Sequence, residues 1–336
     1  MTKPVLKNAS YILVHTPDMI IHNGTTYQME KLGNPDSEFL KNVGNFIRNY
    51  EEVVNYAPNQ VYIGNKKPEE LNDVATPWFE NPVQGTREGR FGEIMPQDEF
   101  IGMLKIADSF DLVKLTADFS KAVVEKLKAH ELFSDAELEK FKDSEEIDSI
   151  KTFVNEHHAE GLYHMGELVG CVKRAHEVDS SLTAHIMFEN LVVKASGVLA
   201  VKHLMKNSSV KADEVEYVIE CSEEACGDMN QRGGGNFAKS IAEACSFTNA
   251  TGSDTRGFCA GPTHALINAA ALVKSGVYKH VVVVGGGATA KLGMNAKDHI
   301  KKNIPVLEDV LGGFAVLVSE DDGISPVFNT DLVGRH

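Results

Sequence analysis

The spacing of apolar positions along the chain changes near residue 180. Before that point hydrophobic residues come in short runs broken by proline, glycine and acids. The stretch "ASYILVHTPDMIIHNG" reads as a first strand, and "NPDSEFLKNVGNFIRNYEEVVNY" has the spacing of a helix. "ATPWFENPVQGTREGRFGEIMPQ" holds three prolines and three glycines and is a loop. Its Trp78 is expected to plug a local core beneath that loop. From Asp98 to Lys142 the period is helical, and Ser134 with Glu137 three residues on makes a capping box. This stretch is expected to be a helical pair.

Beyond about Leu182 the pattern becomes regular. "SSLTAHIMFENLVVKASGVLAVKHLMKNSS" is a long apolar helix with an Asn–Ser–Ser stop, and "VEYVIEC" is a strand-length β-branched run. "GGNFAKSIAEACSFT" and "CAGPTHALINAAALVKSG" are further helices. "KHVVVVGGG" and "VLGGFAVLVSED" are strands, the first apolar on both faces. Helices alternating with continuous apolar strands predict α/β layers around a buried sheet. The expected division is residues 1–180, an N-terminal strand with a loop-rich and helical extension, and residues 181–336, the α/β core.

Composition narrows the class. The chain has 336 residues, 43% hydrophobic and 24% charged, as expected of a soluble globular protein able to bury a core. Thirty-three basic against 48 acidic residues leave a formal charge of −15. That charge speaks against nucleic acid or an anionic membrane as partner. The start lacks the apolar run of a signal peptide, and no stretch is expected to cross a membrane. The five cysteines (Cys171, Cys221, Cys226, Cys245, Cys259) show no metal-like spacing and read as reduced thiols of a cytoplasmic protein.

Cys259 is the candidate nucleophile. It stands between Gly257 and Gly261–Pro262, at the start of a helix whose sequence is apolar nearly all round and so is expected in the middle of a core. Pro262 suits a first helical turn, where its missing N–H costs nothing. A thiol there lies near free N–H groups and the positive end of the helix dipole, which lower its pKa and hold a developing oxyanion. Ala260 and Gly261 leave room for an acyl group. His264 stands five residues on, about 140° round a regular helix from Cys259, and reads as a packing or rim residue.

Other patterns are weaker. Gly285, Gly287 and Ala290 after a strand, with Glu308 and Asp309 some 20 residues on, fit a dinucleotide-binding spacing. The following segment has too poor an apolar period, so these glycines are read as places of close backbone approach. Arg232–Phe237 reads as a turn rather than an anion nest. His157, His158, Glu160 and His164 lack zinc spacing and read as a solvated polar face. Cys221 and Cys226 are not spaced as a redox pair, and Cys221 reads as core packing.

"DTRGFCAGPTHALINAAALVKSG" followed by "VVVVGGG" resembles the active-site segment of thiolase-fold enzymes, nearest to the β-ketoacyl synthase III type. "ENLVVKASGVLAVKHLMKNSSVKADEVEYVIEC" is similar to the upstream helix and strand of that fold, and "VLGGFAVLVSED" to a later strand. The resemblance implies a thiolase-like layered α/β fold, first half only, with Cys259 as the matching catalytic position. Synthase III enzymes complete the site with a His and an Asn from a second half of the fold, which is expected to lie beyond this stretch or on another chain, so no general-base pair is assigned here.

Nearly the whole chain, including "PVLKNASYILVHTPDMIIHNGTT" and "APNQVYIGNKKPEEL", resembles the component C beta subunits of glycine/sarcosine/betaine reductase. That resemblance implies partnership with a component C alpha subunit and a component A selenoprotein, and a homodimer or hetero-oligomer. It implies conversion of a selenium-bound carboxymethyl group to an acetyl thioester, which phosphate, as co-substrate, cleaves to acetyl phosphate. No resident cofactor or metal is expected. The alternatives are a non-catalytic scaffold subunit of the same complex, or a synthase III-like acyl-thioester transferase.

Overall fold

The computed structural model describes residues 2–222 and 236–334. It is a mixed α/β fold built on two sheets. The larger holds β1 (Pro4–His15), β2 (Ile94–Met95), β6 (Tyr217–Glu220), β7 (Thr251–Asp254), β8 (His280–Gly285) and β9 (Val310–Glu320). Their order is β2-β1-β9-β8-β6-β7. Strands β6, β7 and β8 run parallel, while β9 is antiparallel to both β8 and β1. A small antiparallel sheet, ordered β3-β5-β4, comprises β3 (Val113–Leu115), β4 (Glu160–His164) and β5 (Glu167–Val172).

Helices of eight residues or more among the described residues are α1 (Thr25–Gly33), α2 (Gln97–Ala107), α3 (Ala117–Ala129), α4 (Ile147–His157), α5 (Ala184–Lys206), α6 (Phe237–Ala244) and α7 (Gly261–Ser275). The central sheet is sandwiched because β8 is apolar on both faces. Val282 and Val284 join Ala315 and Leu317 against α5 and α6, while Val281 and Val283 join Val316 and Val318 against α7. All four valines of β8 are 0% exposed. Alternation of side chains along the strand puts consecutive valines on opposite faces, and each buried valine contributes about 2 kcal/mol of transfer free energy. The largest apolar cluster contains Ile12, Phe100, Leu199 and Leu317, so one core draws on residues from both sides of position 180.

Several elements depart from the sequence expectation. The strand ends at His15, and Pro17 opens a short helix, Pro17–His22. Residues 34–56 do not form one helix. They break into Glu38–Asn42, a 3-10 turn Val43–Phe46 and Tyr50–Val54, because Ile47 bridges to Val306 and Asn49 with Glu52 caps a new start. The Asp98–Lys142 helices are separated by β3, which takes its hydrogen bonds from β5. Ser134 and Glu137 do form a capping box, though the helix it opens spans only Asp135–Leu138.

Trp78 is half-buried, with its indole Nε1 enclosed and without an acceptor. Helix α5 bears on the expectation that no stretch crosses a membrane. It is long and apolar enough to cross a membrane by length and composition, yet 78% of its most apolar window is buried inside this fold.

Candidate active site around Cys259

The parallel strands converge where their carboxyl ends place Glu220, Asp254 and Gly285, and ligand sites in open α/β sheets form at such edges. The chain leaves β7 and is tied at once to β6, as Thr255 N–H donates to the Glu220 carbonyl at 2.7 Å. Arg256 then turns its Nη1 onto Glu220 Oε2 at 2.6 Å, with its Nη2 3.6 Å from Asp254. The Glu220 side chain is 0% exposed. Burial pushes its carboxyl above the usual range, and Arg256 opposes that rise.

Gly257 is extended and Phe258 then takes φ 48°, a left-handed conformation that is costly for a bulky residue. Residues Phe258–Ala260 make a single 3-10 turn, and α7 begins at Gly261 with Pro262 in its first turn. Cys259 thus sits in the turn immediately before the helix. A Cβ on Gly261 would lie 3.2 Å from the Cys221 carbonyl, so the helix start is seated closely against the end of β6. At its other end α7 stops at Gly276 in the left-handed conformation, as the sequence predicts.

Cys259 is exposed, whereas Cys171 and Cys221 are buried and Cys245 is partly buried. Burial pushes the thiols of Cys171, Cys221 and Cys245 up to about 12. Cys221 packs in the cluster beneath α7, its Sγ 3.4 Å from the Val284 carbonyl. Cys226 lies outside the described residues.

Helix α7 is not enclosed as its sequence suggests. Only Gly261, Ala265, Ala269, Ala270 and Val273 are buried, and Ile267 is 38% exposed. Next to it Phe258 is 81% exposed and Val277 59% exposed. The physical reason is that, among the described residues, the sheet packs against one side of the helix. His264 is exposed, and its ring lies against Gly257, 3.0 Å from where a Cβ would stand.

The remaining sequence signals resolve locally. After Gly287 the chain makes a 3-10 turn, Thr289–Lys291, in place of the helix a dinucleotide site requires. Asp309, 0% exposed, is engaged by Arg48, whose Nε lies 2.9 Å from Oδ2. Glu308 accepts from Asn295 N–H at 2.6 Å. Gly287 and Gly285 serve close approach, since a Cβ on Gly287 would meet the Gly312 carbonyl at 2.8 Å and one on Gly285 the Phe314 ring at 2.6 Å, and between them a Cβ on Gly286 would crowd the Val193 carbonyl. Of Arg232–Phe237, residues 232–235 lie outside the described residues. Asn236 caps α6, and the Asp254 carboxylate accepts from Phe237 and Ala238 N–H. His157 ends α4, His158 is its left-handed cap, and Glu160 and His164 lie on β4, so they form no common site.

Sequence reading missed one buried constellation. The ligand atoms of Glu93, His130 and His203 lie within 4.8 Å of one another, drawn together from the β2 approach, the end of α3 and α5. Glu93 Oε1 accepts from His130 Nε2 at 2.8 Å and His203 Nε2 at 3.0 Å, while Arg87 binds Oε2 at 2.7 Å and also pairs with Glu99. These residue types could ligate a metal, but the local bonding favours a hydrogen-bonded cluster. His130 Nδ1 accepts from Leu132 N–H, which leaves the neutral ring's proton on Nε2, and Arg87 already balances the carboxylate. Spacings of 37 and 110 residues leave no local signal for this group.

Comparison with known proteins shows what these features are similar to. Residues 253–334, which hold Cys259, α7, β8 and β9, match the 3-oxoacyl-[acyl-carrier-protein (ACP)] synthase III family. Among solved structures, the priming β-ketosynthase of the R1128 polyketide pathway is 26% identical, with a TM-score of 0.31 over 38% of this chain and 36% of that one. The 3-oxoacyl-[acyl-carrier-protein] synthase III of Aquifex aeolicus VF5 is 19% identical, with a TM-score of 0.29 over 38% and 39%. The beta subunit of component C of the glycine/sarcosine/betaine reductase complex of Peptoclostridium acidaminophilum is 60% identical over 339 residues. That match takes in 100% of this chain and 66% of the relative, so the chain spans just under two thirds of that protein's length. The chain is accordingly a homologue of the glycine/sarcosine/betaine reductase component C beta subunit, with a synthase III-like segment that carries Cys259.

Proposed function

We propose that this protein is the acyl-handling subunit of a glycine-, sarcosine- or betaine-reducing complex, with Cys259 as the thiol that carries the acetyl group. The carrying observation is the exposed placement of Cys259 on a turn with a left-handed Phe258, at the carboxyl edge of three parallel strands. Such a turn holds the sulfur out from the sheet while Arg256 and Glu220 tie its base to β6. In this reading the acetyl group is held as a thioester, its carbonyl carbon bonded to the Cys259 sulfur. A phosphate oxygen then attacks that carbon, the thiolate leaves, and acetyl phosphate is released.

The carboxymethyl group would reach the complex on the selenium of component A, and the reductive step belongs to the complex as a whole. A component C alpha subunit is the expected neighbour, and the exposed apolar side of α7 supports contact with further protein there. The four described cysteines are free, which fits a cytoplasmic setting.

The test is acetyl exchange. The assembled complex is incubated with isotopically labelled acetyl phosphate, quenched in acid, and its thioesters located by peptide mass spectrometry. Acetyl on Cys259, absent in Cys259→Ser, is the expected result. Acetyl found solely on an alpha-subunit thiol, with exchange unchanged in Cys259→Ser, would make this chain a scaffold instead.

A further inference from the structure

On the other face of the sheet from Cys259, a two-lobed cleft runs along one side of α5. Its larger lobe, about 1040 Å³, is lined by Lys140, Lys194, Lys202, Lys206 and Lys211. The smaller, about 320 Å³, is mostly apolar and is walled by Phe110, Leu112, Met187, Leu191 and Phe237. The lobes share Ala107, Ser109, Lys194 and Ser240, so Lys194 stands at the waist between them.

The sequence of α5 builds this floor. Lys194, Val198, Lys202 and Lys206 recur every fourth residue and therefore share a helix face, and Met187, Asn190 and Leu191 continue it into the apolar lobe. Two of the floor lysines have carboxylate partners, Lys202 with Glu137 at 2.8 Å and Lys206 with Glu131 at 2.6 Å. Lys194 and Lys140 differ. Lys194 is 9% exposed and donates to Ser109 Oγ at 3.0 Å, and Lys140 donates to the Ile106 and Asp108 carbonyls at 2.6 Å. Among the described residues neither lies in an ion pair.

Lys140 is exposed, whereas the Lys194 ammonium is withdrawn from water with no ion-pair partner among the described residues, which is unfavourable. Burial holds Lys194 below its usual range and Lys140 lowers it further, against Glu243 and Asp108, while Lys140 is lowered by burial and by Lys105. The arrangement is notable in a chain of net charge −15. In the apolar lobe, Asn190 Oδ1 is enclosed without a hydrogen-bond partner. An anion at the waist would give Lys194 a counter-charge with Lys140 at its open side, and an attached apolar group would fill the smaller lobe.

We infer that this cleft binds a small phosphate-bearing molecule, its phosphate held between Lys194 and Lys140 and its apolar portion seated against Met187, Leu191 and Phe110. The site lies behind the sheet and is independent of the acyl chemistry assigned to Cys259.

Hexyl phosphate is the probe, with inorganic phosphate and hexanol as its separate halves. Calorimetric titration of the full chain is expected to show one hexyl phosphate bound about tenfold or more tighter than either half, the scale of one added charge-assisted hydrogen bond. Lys194→Met, which keeps the stem, should weaken hexyl phosphate about tenfold. Lys140→Met on the opposite wall provides the same reading should the first variant fail to fold. Phe110→Ser, at an exposed position, should weaken hexyl phosphate and leave inorganic phosphate unchanged. Hexyl phosphate binding no tighter than hexanol, or unchanged in a folded Lys194→Met or Lys140→Met protein, would overturn the assignment.

Discussion

Glu220 and Arg256 meet at 2.6 Å across the base of the turn that presents Cys259, joining the end of β6 to the segment after β7. The carboxylate is 0% exposed and the guanidinium side chain 31% exposed, so the pair is half a buried one. Arg256→Met strands a buried carboxylate and should cost about 2 kcal/mol at neutral pH, below the range for fully buried pairs because Arg256 is partly solvated. The pH dependence follows from the direction of the Glu220 shift. Its folded pKa is raised, so its contribution is fully present below the unfolded value and is lost as pH rises through the folded one. Without Arg256 that loss deepens. Denaturant melts should therefore show a larger deficit at pH 7 than at pH 5, and Arg256→Met/Glu220→Gln should recover most of it. A deficit independent of pH would contradict this account.

Exposure alone sorts the described cysteines. Cys259 is open to solvent, while burial pushes Cys171, Cys221 and Cys245 up to about 12. Iodoacetamide at pH 7.5 should label Cys259 first among these four, and the other three after unfolding. Cys259→Ala should change stability by no more than about 0.5 kcal/mol, as expected of an exposed side chain. Early labelling of Cys221 would show that the floor beneath α7 opens in solution.

The Glu93 cluster predicts acid sensitivity. Hydrogen bonds from His130 and His203 together with Arg87 outweigh burial and hold the Glu93 carboxyl far below its ordinary 4.5. A depressed carboxylate contributes stability above its unfolded pKa and loses it as pH falls toward the folded one. The stability of the protein should therefore fall as pH drops below about 4.5. Glu93→Gln should lose on the order of 3 kcal/mol at pH 7 and show a flatter acid limb. An acid limb of equal steepness in the variant would assign that sensitivity to other carboxylates.

Two glycines separate steric from conformational cost. Gly286→Ala would drive a Cβ to 2.2 Å from the Val193 carbonyl of α5, so a helix or the β8 exit must move, costing roughly 1–3 kcal/mol. Gly276, at φ 76°, has open space around it, so its alanine variant should cost about 1 kcal/mol from the backbone alone. Gly276→Asn should be milder than Gly276→Ala. Thermal melts of the three variants check the order.

Elements whose identity lies in a local run were legible in the chain itself. Helix α5, strands β6, β8 and β9, and α7 with its Gly276 stop are each marked by unbroken periodicity and by punctuation at the ends. Cys259 was legible for the same reason, because glycine and proline around one sulfur mark a turn before a helix. Strand β7, "TGSD", carries no apolar signal and exists because β6 offers it a parallel edge. Strand β3 likewise depends on β5, and residues 34–56 break where Ile47 finds Val306.

What the sequence determined by itself was the layered α/β class, its principal helices and strands, and the placing of one thiol at a helix start. The tertiary structure decided what surrounds them: one open face of α7, the half-buried Arg256–Glu220 tie, the Glu93 cluster and the lysine-lined cleft behind the sheet. The division is physical. Periodicity and turn chemistry act between residues a few positions apart, whereas burial, charge pairing and cavities arise between segments that meet only after the sheet has closed.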